Sequence, residues 1–165
     1  MKKKIVLVTI ILLILLIFVY YENKVTVSNE NKLIKLIEER TNSRHVKLLD
    51  RKVDQNHLFI LYTNEGSNEN SLCILEQDNI FKSLYKIKSG QYSCIEKDIG
   101  TCFLIDNENN LLIVYGTNTG NKYTKYVLHN GKTEHDVFIS NEKYIIDVYI
   151  VDESPFDGSR LKLYK

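Results

Sequence analysis

The feature that most constrains this chain is an unbroken apolar run, residues 5–21, set directly after Lys2, Lys3 and Lys4. It reads IVLVTIILLILLIFVYY, with Thr9 its only polar member. A helix that is apolar on every side has no wet face, so it does not suit the surface of a soluble domain. At the helical rise per residue the run covers roughly 25 Å. That is the short end of what a bilayer core of about 30 Å requires. Tyr20 and Tyr21 close it, where aromatic rings favour the water–lipid boundary. The sequence therefore predicts a signal-anchor transmembrane helix at residues 1–21, with the lipid bilayer as partner of residues 5–21.

Charge sets the expected orientation. The lysines precede the run and the first charge after it is Glu22. The positive-inside rule keeps the N-terminus in the cytoplasm and sends the remainder across. The chain reads as a single-pass protein of the cell membrane, with its C-terminal domain outside. A cleaved secretory signal shares this layout, but cleavage wants small residues in an A-x-A-like arrangement. The chain has no alanine, and Thr26-Val27-Ser28 is the best substitute. The first cysteine is Cys73, too distant for a lipoprotein site.

Removing residues 1–21 leaves 144, the size of one ordinary domain. Taking its three lysines from the 22 basic residues leaves 19 against 21 acidic ones. That balance gives no pull toward nucleic acid. The expected organisation is a juxtamembrane connector at 22–29 and an extracytoplasmic β-rich domain at 30–165.

The order of elements follows from periodicity. NENKLIKLIEERTN places Leu33, Ile34, Leu36 and Ile37 on one face, which predicts an amphipathic helix over residues 30–41. Ser28 or Asn29 can cap its start and Asn42 its end. Beyond it, short β-branched and aromatic runs alternate with Asn, Asp, Gly and Ser. They predict strands near 44–53, 57–63, 71–76, 80–88, 92–97, 101–106, 110–116, 122–129, 133–139, 143–151 and 160–164. Asn130-Gly131 is the strongest hairpin turn, since type I′ geometry needs φ > 0 twice. In 58–62, 102–105 and 111–115 both faces are apolar, so these strands need cover on both sides. The expected fold is mainly β, an antiparallel meander after one amphipathic helix. It is sandwich-like with the helix across one end, or else a single strongly bent sheet.

Local chemistry is sparse. The histidines, His45, His57, His129 and His135, have no metal-ligand spacing, and no HExxH or CxxC occurs. His129 and His135 flank the Asn130-Gly131 turn. Acidic stretches at 106–110 and 152–159 gather oxygen ligands, but the first lacks the glycine and the terminal glutamate of an EF-hand. No metal or cofactor is expected. No GxSxG nucleophile or phosphate loop is present, so no catalytic residue is named. Cys73 reads as a small core residue. Cys94 and Cys102 flank a turn and can face each other as a disulfide, or remain two reduced thiols. Asp147 breaks the apolar strand KYIIDVYIV, on the face of Ile145, Tyr149 and Val151. A carboxylate there needs partners or a raised pKa. With Tyr149 and Tyr144 it is the candidate ligand-binding group; the alternative is a bond to a neighbouring tyrosine or lysine.

The KKK-plus-anchor start and the strands LFILY, LLIVYGTN and KYIIDVYIVD resemble small uncharacterised membrane-anchored extracytoplasmic proteins of low-GC Gram-positive bacteria. The resemblance implies location and no activity. The expected function is a non-catalytic module of the cell envelope that binds another envelope protein. A binder of small ligands or cell-wall sugars is the alternative, and an envelope enzyme the remote one.

Overall fold

The computed structural model describes residues 2–22, 24–93, 98–105, 109–130, 133–151 and 160–165; for 2–5, 89–93, 130 and 160 it describes the backbone alone. The described chain is mainly β. Two helices, α1 (Lys2–Glu22) and α2 (Glu30–Thr41), precede ten strands. These are β1 (Val46–Asp54), β2 (His57–Asn64), β3 (Asn70–Gln77), β4 (Tyr85–Ser93), β5 (Ile99–Ile105), β6 (Asn110–Thr117), β7 (Lys125–Asn130), β8 (Thr133–Phe138), β9 (Tyr144–Val151) and β10 (Arg160–Tyr164). All ladders are antiparallel.

Neither a single bent sheet nor a two-layer sandwich results. Among the described residues three sheets form: sheet A in the order β1-β2-β3-β4, sheet B as β5-β6-β9 and sheet C as β10-β7-β8. They stack face to face, with α2 on the outer face of sheet A and not across an end. Leu33, Leu36 and Ile37 of α2 pack on Leu58, Ile60, Tyr62, Cys73 and Leu75. The alternate residues of the same strands, Phe59, Leu61, Leu72 and Ile74, meet Leu111, Ile113, Tyr115 and Ile146 of sheet B. The other face of sheet B, Leu112, Val114 and Ile145, meets Tyr126 and Leu128 of sheet C. Period-two alternation thus sends each strand of the middle layers into two cores at once. That is why 58–62 and 111–115 are apolar without a break.

Local chemistry fixes the ends of the elements. The Asn29 side chain accepts from Lys32 N at 3.1 Å, and Asn42 closes α2 in the left-handed region at φ 53°. A helix of 12 residues is marginal alone, so its apolar face against sheet A must hold it. The β1–β2 turn places Gln55 and Asn56 at φ 47° and 61°, two successive positive values of the type I′ kind. The β7–β8 pairing is described up to Asn130–Thr133, and Gly131 lies outside the described residues.

The strand expected at 80–88 starts only at Tyr85, as β4, which runs on to Ser93; most of the strand expected at 92–97 lies outside the described residues. The Asp78 side chain accepts from Ile80 N at 2.9 Å and Phe81 N at 2.8 Å. This local turn outcompetes a ladder over 80–84.

The expected connector is bound to the domain. Val25 is buried and exchanges two backbone bonds with Tyr85, at 2.9 and 2.8 Å. Arg51 donates to Val27 O at 2.8 Å, and Lys32 Nζ to Tyr21 O at 2.9 Å. Among the described residues no helix is long and apolar enough to cross a membrane; the side chains of α1 are described from Val6 onward.

Candidate functional site

Asp147 lies where the three sheets meet. Tyr126 of sheet C donates its hydroxyl to Asp147 Oδ2 at 2.7 Å and also touches the Tyr149 hydroxyl. Lys52 of sheet A reaches around strand β9, an edge of sheet B. Its Nζ donates to Ile146 O at 2.9 Å and stands 3.6 Å from Asp147 Oδ1. One carboxylate therefore joins a tyrosine from one neighbouring sheet and a lysine from the other. The lysine also occupies a carbonyl on an otherwise open edge. Burial pushes the Tyr126 hydroxyl far above its ordinary range; Tyr149 and the Asp147 charge act in the same direction. Burial also raises Tyr149; its bond to Tyr126 opposes this and the Asp147 charge adds to it.

Of the residues expected to share a site, Asp147 and Tyr149 are brought together and Tyr144 is not. Tyr144 and Ile146 face sheet A, whereas Ile145 and Tyr149 face sheet C. The parity of one strand separates them. Cys94 lies outside the described residues, and with it the Cys94–Cys102 pair; Cys102 is half-buried against the core between sheets A and B. Burial pushes the Cys73 thiol up to about 12, which leaves it an inert core residue. His129 stands 3.4 Å from Glu134, while the His135 ring packs on Tyr149 at 4.8 Å, so the two histidines take different neighbours. Most of 106–110 and all of 152–159 lie outside the described residues.

Sequence reasoning missed that the Asp147 arrangement recurs twice. Asp98 receives the Tyr123 hydroxyl at 2.9 Å and pairs with Lys122. The ammonium holds its carboxyl below the usual range, against the opposing effect of burial. The Asp98 carbonyl accepts from Thr117 N at 2.8 Å and Asn70 Nδ2 at 3.2 Å. So close an approach requires glycine at 116: a Cβ there would lie 2.0 Å from the Asp98 oxygen, and φ is 148°. Asp78 receives the Tyr20 hydroxyl at 2.8 Å and pairs with Lys24, whose Nζ sits 3.1 Å from the Tyr20 ring centroid. Lys24 and the amide of Phe81 hold the Asp78 carboxyl far below the usual range; burial opposes them. Burial alone would lower Lys24, but its bonds to Asp78 and Tyr20 raise it.

These tyrosines and lysines come from distant parts of the chain, which is why no local motif announced them. The one local signal was the aspartate itself, at 147, in an apolar strand. Buried Asn118 is another hidden node: its Nδ2 donates to Tyr123 O and Ile139 O at 2.9 and 3.0 Å, and its Oδ1 accepts from Tyr123 N at 2.9 Å. Chemically, each aspartate is engaged by donors already, an arrangement suited to joining layers. Among the described residues no three His, Cys, Asp or Glu side chains gather as a metal site. No protein-family model, curated protein or solved structure matches the chain.

Proposed function

We propose that this chain is a single-pass membrane protein of the cell envelope, with α1 in the bilayer and the stacked sheets outside as a non-catalytic protein-binding module. The observation that carries the reading is the surface of α1. From Val6 to Val19 its apolar side chains are exposed on every side, from 49 % at Ile11 to 66 % at Phe18. Water is a poor solvent for such a cylinder and lipid a good one. The described apolar side chains start at Val6, and Ile5 lengthens the run toward the bilayer thickness. The lysines before it set the orientation.

For the partner, the outer face of sheet C supports the reading. Phe138 (73 % exposed) and Tyr164 flank Lys125, whose Nζ lies 5.8 and 5.1 Å from their rings. Exposed aromatics around a cation suit a protein interface. The small-ligand alternative has less support, because both oxygens of Asp147 are engaged.

The experiment is protease accessibility of the full chain carrying a C-terminal tag, in intact cells. Expected is a carbonate-resistant membrane fraction whose tag is digested from outside. A tag that survives, or a chain released by carbonate, overturns the topology. A photo-crosslinking residue at Phe138 then tests the module: a discrete adduct is expected, and none with any envelope protein removes the interface.

A further inference from the structure

We propose that the tip of the β3–β4 loop, Ile80 and Phe81, is a second membrane contact that enters the outer leaflet beside α1. The proposal rests on the reading of α1 as the membrane span and adds a lipid-binding surface on the domain itself.

Ile80 and Phe81 are 72 % and 43 % exposed, two large apolar side chains side by side on a loop. They do not point away from the anchor. With Leu13, Leu16 and Ile17 of α1 they line a groove of about 400 Å³. The Phe81 ring centroid lies 6.0 Å from that of Tyr20 and 5.6 Å from that of Tyr21. Leu13 is about two turns below Tyr20 on the helix. The loop tip is therefore level with residues that the anchor places in lipid. If α1 spans, Ile80 and Phe81 cannot remain in bulk water.

The backbone is prepared for that position. A loop entering lipid must satisfy its own polar groups, because no water is there to do so. Ile80 N and Phe81 N both donate to the Asp78 carboxylate. Phe81 O accepts from Leu84 N at 2.8 Å, and Lys82 O from Gln77 Nε2 at 2.7 Å. The same Asp78 holds Tyr20 and Lys24, so one carboxylate fixes the loop and the end of the anchor together. Exposed Lys82 follows the apolar pair, where an ammonium meets lipid phosphates. The anchor itself calls for such a supplement: its run is shorter than the hydrocarbon core, and flanking residues make up a mismatch of this kind.

The chain has no tryptophan, so a single substitution installs a unique reporter. The full chain is reconstituted in phosphatidylcholine–phosphatidylglycerol vesicles, one set with bromine on the upper acyl carbons to report on 80 and 81 and one with bromine near the acyl ends to report on 12. The variants are Phe81→Trp, Ile80→Trp, Leu12→Trp in the anchor and Phe138→Trp on sheet C. Bromine should reduce emission roughly twofold at 81 and 80, since interfacial rings sit at that depth, and leave 138 unchanged. Quenching at 12 with none at 81 and 80 overturns this proposal and leaves the anchor intact. No quenching at 12 overturns the anchor, and the loop contact with it. Equal quenching at 81 and 138 means nonspecific adsorption and also overturns the proposal. So does a blue-shifted, unquenched reporter at 81 whose emission depends on protein density, which assigns the patch to a second copy.

Discussion

Asp78 and Asp147 have the same kinds of partner, a tyrosine hydroxyl and a lysine, and they join different things. Asp78 holds a helix end and a loop tip at the margin of the domain. Asp147 holds three sheets at its centre. The difference lies in where the burial cost falls. At Asp78 the carboxylate collects two backbone amides besides the two side chains, and its charged form is favoured. At Asp147 the cost falls on the tyrosines, whose neutral forms are favoured. Similar side chains therefore give two junctions that should fail at opposite ends of the pH scale.

The largest expected effect comes from the third aspartate, Asp98. Gly116→Ala places a methyl group inside the approach to its carbonyl, at a φ that alanine resists. We expect a loss of about 2–4 kcal/mol, read by urea unfolding. A loss below 1 kcal/mol would mean that β6 shifts freely. Next is Asp147→Ala, which removes the carboxylate acceptor of the Tyr126 hydroxyl and the ion-pair partner of Lys52, at about 1–3 kcal/mol. Asp147→Asn should retain more, because it still accepts from Tyr126; equal losses in the two variants would count against the three-sheet junction.

Asp78→Asn should hardly change the unfolding midpoint of the sheets. It should speed hydrogen exchange at Ile80 and Phe81, and unchanged exchange would show that the carboxylate does not hold the loop. The pH dependence sharpens the contrast. The folded pKa of Asp78 is depressed, so its stabilisation is complete above the ordinary carboxylate value of about 4 and is lost as pH falls below it. Tyr126 and Tyr149 are raised, so their contribution is complete below about pH 10 and is lost as pH rises beyond it. Acid should release the loop and also weaken the Asp98 pair with Lys122, whose carboxyl is depressed in the same direction, whereas alkali should loosen the Tyr126–Tyr149 contact between sheets; a Phe81→Trp reporter and far-ultraviolet circular dichroism read the loop and the sheets separately. The smallest effect is Lys35→Ala, which removes an exposed pair with Glu39 at 3.7 Å. Less than about 0.5 kcal/mol is expected.

The legible part of this molecule was the part written in neighbouring residues. The unbroken apolar character of 58–62 and 111–115 already required cover on both faces, and the structure supplies it as two cores per strand. Strand parity also separates Tyr144 from Asp147, a distinction present in the numbering and overlooked in grouping them. Residues 80–84 misled because Ile80, Phe81 and Leu84 suit a strand, while the Asp78 carboxylate accepts from Ile80 N and Phe81 N and makes a turn of them. Three sheets were not legible. Nothing local says that β7 and β8 leave sheet B or that β9 returns to it. The partners of Asp78 and Asp98 were hidden for the same reason, since Tyr20 and Asp78 are 58 residues apart.

That return of β9 has a consequence for the order of assembly. Sheet A consists of consecutive hairpins, so it can zip up as the chain is made, each turn short and each strand meeting the one before it. Sheet B has to wait: β6 finds its second neighbour only after a whole hairpin of sheet C has been laid down, and sheet C in turn waits for β10. Contacts of such long sequence separation form slowly, because closing the loop costs entropy before any pairing compensates for it. A nascent chain that has reached Phe138 thus has one finished sheet and two half-built ones with bare apolar strands. The last 27 residues do more than extend the protein; they close it.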